Sequence, residues 1–275
     1  MESKRRVRLL LLLALALLPC PGSAGPLRRN FVAFLDVSLS VSDAALESEF
    51  DELASIVRTR IFKNALRGNL ERWPTTFRVF PVHGCSERAE PILSIEGTRE
   101  IDEATLDRKL AEAKRIARGL HSSPNCSGDP SLEKSTCYLQ TLDVVDRSFA
   151  EAGSDDPRAV FYLGDMLEHC AGIEMDTGQA AFEAAVAQLE GDAIIRMCHG
   201  AGDPPRLAGI EVGAKISLRD NKVDLRIPVS RVERVWQSFF EGCGADAQVS
   251  PIWKASTGDV GADHGHGGPG RRDAR

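Results

Sequence analysis

The chain has 275 residues, of which 43% are hydrophobic and 27% are charged, and its formal net charge is −6 at pH 7. This acidic balance argues against nucleic-acid binding, which requires a basic surface. The length supplies enough apolar material for the core of one large domain.

Residues 1–24 have the pattern of a secretory signal peptide. Four basic residues precede an apolar run at residues 9–18, and small residues follow at 22–24. The apolar run is too short to span a bilayer, and no later segment approaches transmembrane length. Pro19 disfavours the alternative in which Cys20 is lipidated. We therefore expect an exported protein, periplasmic or secreted, without stable membrane insertion after signal cleavage.

The part of the chain up to residue 120 alternates short apolar runs with amphipathic stretches. Apolar side chains recur at helical spacing after Ser42, and shorter runs alternate as strands do. The charged stretch at residues 102–120 carries an apolar stripe, which is typical of an amphipathic helix. The predicted elements are strands at residues 30–35, 77–82 and 91–95, and helices from Ser42 or Asp43 onward and over residues 102–120.

The second part of the chain repeats this alternation after a loop at residues 122–134, which is rich in Ser, Pro, Asn and Gly. The predicted elements are helices over 137–152, 177–189 and 230–241, strands over 159–163 and 210–218, an edge strand over 248–253, and a segment at 193–198 that fits a helix better than a strand. Residues 254–275 lack periodicity, so we expect a disordered tail after a domain spanning residues 25–253.

Strands that alternate with helices indicate an α/β fold. The expected architecture is a three-layer, doubly wound, mostly parallel central sheet with helices on both faces. The carboxyl ends of parallel strands form the ligand crevice of such folds, so polar residues directly after a strand become candidates for binding.

Oxygen-bearing side chains follow two of the predicted strands. Asp36, Ser38 and Ser40 come directly after the first strand, Asp165 closes the run at residues 159–163, and Thr136 lies at a junction between a loop and a helix. Carboxylate and hydroxyl oxygens are the ligands that magnesium, calcium and manganese prefer. These residues therefore predict a divalent-cation site.

The same residues resemble the von Willebrand factor type A domain family, which includes the integrin inserted domains. The Asp-x-Ser-x-Ser element begins at Asp36, and the family's threonine and second aspartate correspond to Thr136 and Asp165. The similarity extends over residues 30–246. Ser135 stands before the threonine in place of the usual glycine and is a candidate substitute ligand.

That resemblance implies a metal-ion-dependent adhesion site and no catalysis. The cation, magnesium before manganese or calcium, would keep one coordination position open for an aspartate or glutamate of a protein partner. It does not indicate the oligomeric state.

Three alternatives remain open at this point. Ser38 and Ser40 could merely cap a turn, with Asp36 bonded to backbone amides. A metal held by Asp36 and Asp165 could instead support a phosphoryl-transfer or hydrolytic enzyme. The chain could also be a structural subunit of an envelope or conjugation-type assembly with a degenerate metal site. Glu168 is interpreted as a solvated residue of the loop after the strand.

The mature chain retains an even number of cysteines, as expected of disulfides in an oxidising compartment. The alternative is a softer zinc or copper site, because histidines 83, 169 and 199 stand beside cysteines. Cys243 follows the last predicted helix and would tether it if disulfide-bonded. The candidates for disulfide bonding are Cys85, Cys126, Cys137, Cys170, Cys198 and Cys243, and their pairing does not follow from the sequence.

Overall fold

The computed structural model describes residues 28–39, 41–66, 75–96, 101–122, 135–153, 155–170, 172–190, 197–199, 205–217 and 227–250. The predicted signal peptide, the predicted tail, Ser40 and Cys126 lie outside these ranges. Most of the segment at residues 193–198 lies outside them as well.

Within the described ranges, the structure contains a six-stranded sheet, a two-stranded hairpin and helices between them. The strands are β1 (Arg29–Asp36), β2 (Thr75–Val82), β3 (Leu93–Glu96), β4 (Arg158–Gly164), β5 (His169–Cys170), β6 (Ile173–Glu174), β7 (Ile210–Ile216) and β8 (Asp246–Ser250). The helices are α1 (Asp43–Leu66), α2 (Glu103–Ser122), α3 (Thr141–Phe149), α4 (Gln179–Glu190) and α5 (Val229–Gly242).

The main sheet has the order β3-β2-β1-β4-β7-β8. The pair β2–β3 is antiparallel, and the other neighbouring strands are parallel. The chain builds the sheet from β1 outward through β2 and β3, and then continues on the other side of β1 with β4. The direction of winding therefore reverses between β1 and β4, and ligands of open α/β sheets bind at the carboxyl ends of the strands at such a switch point.

Helices cover both faces of this sheet, which gives the predicted three layers. The central strand β1 is apolar on both faces, as a parallel strand buried between two helical layers must be. Phe31 and the β1 residues two and four positions after it pack beneath α1 and α2. Phe34 packs on the opposite face, toward α3, α4 and α5. The α/β class predicted from the alternation of elements is confirmed, and the mostly parallel sheet is compatible with a von Willebrand factor A-like fold.

Besides shifts of one or two residues at other ends, the structure differs from the predicted elements at three places. The helix predicted from residue 137 begins only at Thr141, because the preceding residues form a turn that long-range bonds hold in place. The last edge strand begins at Asp246, earlier than expected, and pairs in parallel with β7. The hairpin of β5 and β6 was not predicted, since each of its strands has two residues and carries no periodic signal.

None of the helices in the described part of the chain combines the length and the apolar character needed to cross a membrane.

Candidate metal site at the carboxyl edge of the sheet

The predicted site residues that the structure describes come from segments at the carboxyl edge of the sheet or beside it. Asp36 is the last residue of β1, and Asp165 directly follows β4, its neighbour in the sheet. Both residues are buried, and so are Ser38 and Thr136. The two carboxylates therefore flank the switch point of the winding, although they are 129 sequence positions apart along the chain.

The turn after β1 is built around the Asp36 carboxylate. Its Oδ1 accepts a hydrogen bond from the backbone N–H of Ser38 at 2.9 Å, and the Ser38 carbonyl accepts one from Val41 at 3.1 Å. An aspartate that bonds the amide two residues ahead closes a turn of this kind without any ligand. The bond foreseen in the turn-capping alternative is thus present.

Tyr138 links the ends of β1 and β4, and sequence reasoning did not single it out. Its hydroxyl donates to Asp36 Oδ2 at 2.9 Å and accepts from the backbone N–H of Met166 at 3.3 Å. A Cβ atom added to Gly164 would lie 2.1 Å from that hydroxyl and 2.7 Å from Asp36 Cβ, so only glycine fits there. The glycine before Asp165 was the one available sequence signal for this close approach.

The turn after β4 holds Asp165 in a defined conformation. Asp165 Oδ1 accepts the backbone N–H of Leu167 at 3.0 Å. Met166 has a φ of 56°, which is unfavourable for a side chain with a Cβ and costs about 1–2 kcal/mol. Its carbonyl accepts a 2.6 Å hydrogen bond from Trp236 Nε1 in α5, which helps to fix this conformation. The site is thereby coupled to the last helix.

Thr136 lies in a short bridge and not at the start of a helix. It pairs with His169 in an antiparallel bridge, in which His169 N–H donates to the Thr136 carbonyl at 2.9 Å. Ser135, the candidate substitute ligand, is buried beside it. The bridge places the threonine loop against the segment that follows Asp165.

The interpretation of Glu168 as a solvated loop residue is wrong, because its side chain is fully buried. Its Oε2 accepts the backbone N–H groups of Tyr138 at 2.7 Å and Leu139 at 3.2 Å. Burial raises the pKa of Glu168 to about 8, although these two hydrogen bonds act in the opposite direction. Glu168 therefore holds the turn before α3, which carries Tyr138 to Asp36.

Two histidines stand near the β1 turn. His83 follows β2 and is buried, and burial lowers its pKa while the charge of Asp36 opposes that shift. His121, in the last turn of α2, bonds the Ser38 carbonyl through Nδ1 at 3.1 Å and lies 3.2 Å from Asp43 through Nε2. The His121 ring thus holds the turn by a hydrogen bond, whereas His83 is affected by the charge of Asp36.

The donor set at this edge fits a hard divalent cation. Asp36 and Asp165 offer carboxylate oxygens, and Ser38 and Thr136 offer hydroxyl oxygens, which are the ligand types of magnesium and calcium sites. The turn also leads into α1, whose N-terminus favours negative charge beside it, such as that of an incoming carboxylate. Ser40, the remaining predicted ligand, lies outside the described residues.

The described cysteines form disulfides, which confirms the expected bonding over the alternative of a zinc or copper site built from cysteines and histidines. Cys137 is bonded to Cys170, with Cα atoms 5.2 Å apart, and Cys198 to Cys243, with Cα atoms 4.7 Å apart. Cys85 is disulfide-bonded as well. Such bonds are typical of exported proteins. The bond at Cys243 tethers the end of α5, as predicted.

The neighbouring histidines have other partners. His83 Nδ1 accepts the backbone N–H of Cys85 at 3.0 Å, and His169 Nδ1 bonds Asp176 at 2.5 Å. In the described part of the chain, the side chains that cluster at metal-ligand distances are Cys137, Glu168 and Cys170, without a histidine.

Comparison with known proteins gives distant similarities to solved structures. No family model matches the chain, and no curated protein matches its sequence. Among solved structures, the pilus adhesin SpaC from Lactobacillus rhamnosus GG in its open conformation is similar with a TM-score of 0.43 at 8% identity, over 83% of this chain and 28% of SpaC.

Two other solved structures are less similar. Proximal thread matrix protein 1 from the mussel byssus has a TM-score of 0.29 at 9% identity, over 80% of this chain and 48% of that protein. The human COPII-coat protein Sec24c has a TM-score of 0.29 at 9% identity, over 84% of this chain and 30% of Sec24c. The chain thus spans less than half the length of these proteins, and at such scores the similarities support no functional argument.

Proposed function

We propose that the chain is an exported, non-enzymatic binding module that holds a divalent cation, magnesium before manganese or calcium, at its carboxyl sheet edge. The ligands would be Asp36, Ser38, Ser40, Thr136 and Asp165. The observation that carries the proposal is the position of two buried carboxylates on either side of the switch point. The Tyr138 hydroxyl ties Asp36 to the backbone N–H of Met166, the residue after Asp165.

The chemistry of these ligands suits adhesion. Hydroxyl oxygens are neutral and would offset little of the charge of a divalent cation, so a bound cation stays attractive to a further carboxylate. An aspartate or glutamate of a protein partner would supply that carboxylate. The residues of this chain would bind and orient the cation, and no proton transfer or covalent step is required of them.

Metal titration of the oxidised protein tests the cation site. We expect magnesium and manganese to bind with one site per chain, and we expect binding to weaken by about tenfold or more in Asp36→Asn, as for losses around other metal sites. The matched control is Asp156→Asn, because Asp156 also accepts backbone N–H groups, from Gly153 at 2.9 Å and Arg28 at 2.7 Å, but precedes β4 at the opposite end.

Equal affinity in the wild type and Asp36→Asn would contradict the proposal and favour the turn-capping alternative.

A second measurement addresses the partner carboxylate. Water-proton relaxation by manganese-loaded protein should fall when a peptide containing aspartate is added, since a carboxylate replaces a bound water. Hydrolysis of a phosphate ester that is lost in Asp36→Asn would instead support the enzyme alternative.

A further inference from the structure

A second group of metal-ligating side chains lies beside the candidate site, where the segment that carries Thr136 meets the segment that follows Asp165. The sulfur atoms of Cys137 and Cys170 and a carboxylate oxygen of Glu168 all lie within 4.8 Å of one another. The three side chains are buried, with exposed fractions of 0% for Cys137, 8% for Cys170 and 0% for Glu168. In the oxidised protein the two sulfurs are joined in a disulfide and do not offer thiolates.

Glu168 provides an independent indication of a ligand. While its Oε2 accepts two backbone N–H groups, its Oε1 is buried and accepts no hydrogen bond from the described residues. A carboxyl group fully removed from water with one oxygen unsatisfied is costly unless a proton or a cation compensates it. Burial also raises the pKa of Glu168, which favours its protonated form.

We propose that Cys137, Cys170 and Glu168 form a zinc site that opens when the Cys137–Cys170 disulfide is reduced. Thiolate and carboxylate are ligands of zinc, and three protein ligands with a water in the fourth position complete a tetrahedron. This site goes beyond the proposed cation site and does not depend on it, because the ligands differ and magnesium disfavours thiolates.

A dithiol is one reductant that can open the Cys137–Cys170 disulfide. The dithiol gives two electrons and two protons to the disulfide, the S–S bond breaks, and the dithiol itself becomes a disulfide. Zinc then displaces one proton from each thiol and a third from Glu168 where that group is protonated. Zinc affinity should therefore rise with pH.

The backbone geometry suits both states. Zinc–sulfur bonds of about 2.3 Å at a tetrahedral angle place two sulfurs about 3.8 Å apart. Cys137 and Cys170 have Cα atoms 5.2 Å apart and lie on paired segments, since the bridge between Thr136 and His169 directly precedes both. The site can therefore form by side-chain rotation, while the bridge keeps the two backbones in register.

The test is a titration of the full mature chain with cobalt(II), a spectroscopic substitute for zinc, before and after reduction. A phosphine serves as the reductant: it becomes a phosphine oxide with the oxygen of a water molecule, and the two protons of that water complete the thiols. We expect the reduced wild type to bind one cobalt ion with intense sulfur-to-cobalt charge transfer, and zinc to displace it. Cys137→Ser should lose about half of that absorption or more. Glu168→Gln should keep the absorption and bind about tenfold more weakly or worse.

Cys243→Ser is the matched control, because the Cys198–Cys243 disulfide is also buried but has no such cluster among the described residues. It should behave like the wild type. Absence of charge transfer in the reduced wild type, or its loss in Cys243→Ser and not in Cys137→Ser, would overturn the proposal.

Circular dichroism is recorded in parallel, because loss of a disulfide lowers the stability of the fold. If the reduced wild type loses structure, zinc should restore it, whereas Cys137→Ser should stay unfolded with zinc. Failure of zinc to restore the wild type would overturn the proposal. Magnesium binding by the oxidised protein, measured separately, reports on the Asp36 site alone and keeps the two proposals distinguishable.

Discussion

The face of the sheet beneath α1 and α2 is packed by Phe31, Phe77 and Phe161, whose ring centroids lie 5.8–6.2 Å apart. The opposite face, beneath α3, α4 and α5, also has an aromatic core, but two disulfides and the buried Glu168 lie in it or beside it. We call the first the α1/α2 face and the second the cross-linked face. The difference places both described disulfides and the buried Glu168 on one side of the sheet.

The two faces should respond differently to pH and to reductant. Apolar burial depends little on pH or redox state, whereas a buried carboxyl and a disulfide respond directly to them. The candidate metal site belongs to the cross-linked face, since Tyr138 and Trp236 both pack there. The conformation of the candidate metal site should therefore depend on pH and redox state, while the α1/α2 face keeps the sheet intact.

The largest effect is expected from Phe161→Ala on the α1/α2 face. Removing a fully buried ring between two other phenylalanines should lower the free energy of unfolding by about 3–5 kcal/mol. Urea denaturation at two pH values, with and without reductant, should give the same loss. Phe161→Leu, which keeps more of the volume, should cost less. A loss that changes with reductant would break the distinction between the faces.

The next effect is a pH dependence from Glu168. Its pKa is raised from 4.5 to about 8, so between these values the unfolded chain has released a proton that the folded chain keeps. Stability should therefore fall as pH rises through this window, by about 1.4 kcal/mol per pH unit, and level off above it. Glu168→Gln should remove this slope in urea denaturation. An unchanged slope in the variant would mean that Glu168 does not titrate as proposed.

Removal of one cross-link should give a somewhat smaller loss. Cys198→Ala combined with Cys243→Ala opens a link between residues 45 positions apart and should cost about 2–4 kcal/mol. Hydrogen exchange should show that α5 loses more protection than α2, which lies on the other face. Equal protection of α5 with and without the disulfide would show that packing alone restrains this helix.

The smallest effect concerns the hydrogen bond within the candidate site. Tyr138→Phe removes the donor to the buried Asp36 carboxylate and should cost about 1.5–3 kcal/mol. Tyr162→Phe is the control, because it removes a bond of similar length, 2.9 Å, between the hydroxyls of Tyr162 and Thr141, and should cost about 0.5–1.5 kcal/mol. Thermal unfolding measures both. If the two variants lose the same free energy of unfolding, the bond from Tyr138 to Asp36 contributes no more than a bond between two hydroxyls.

Much of the fold was predictable because its signals are local. The apolar run of β1 and the helical spacing after Ser42 depend on residues a few positions apart, and both elements appear where they were expected. The site residues that directly follow strands, Asp36 and Asp165, were predictable for the same reason: a strand's end can be read from its own sequence. Whether they bind a cation stays a prediction.

The remainder depends on contacts between distant segments. Tyr138 reaches Asp36 across 102 sequence positions, and Glu168 reaches the Tyr138 backbone across 30. No periodic pattern announces such contacts, so the turn before α3 was predicted as helix and Glu168 as solvated. The sequence alone determined the class of fold and the oxygen donors at the strand ends, because both follow from short-range patterns. Only the tertiary structure decided which cysteines pair and which carboxylate is buried, because both depend on segments that meet after folding.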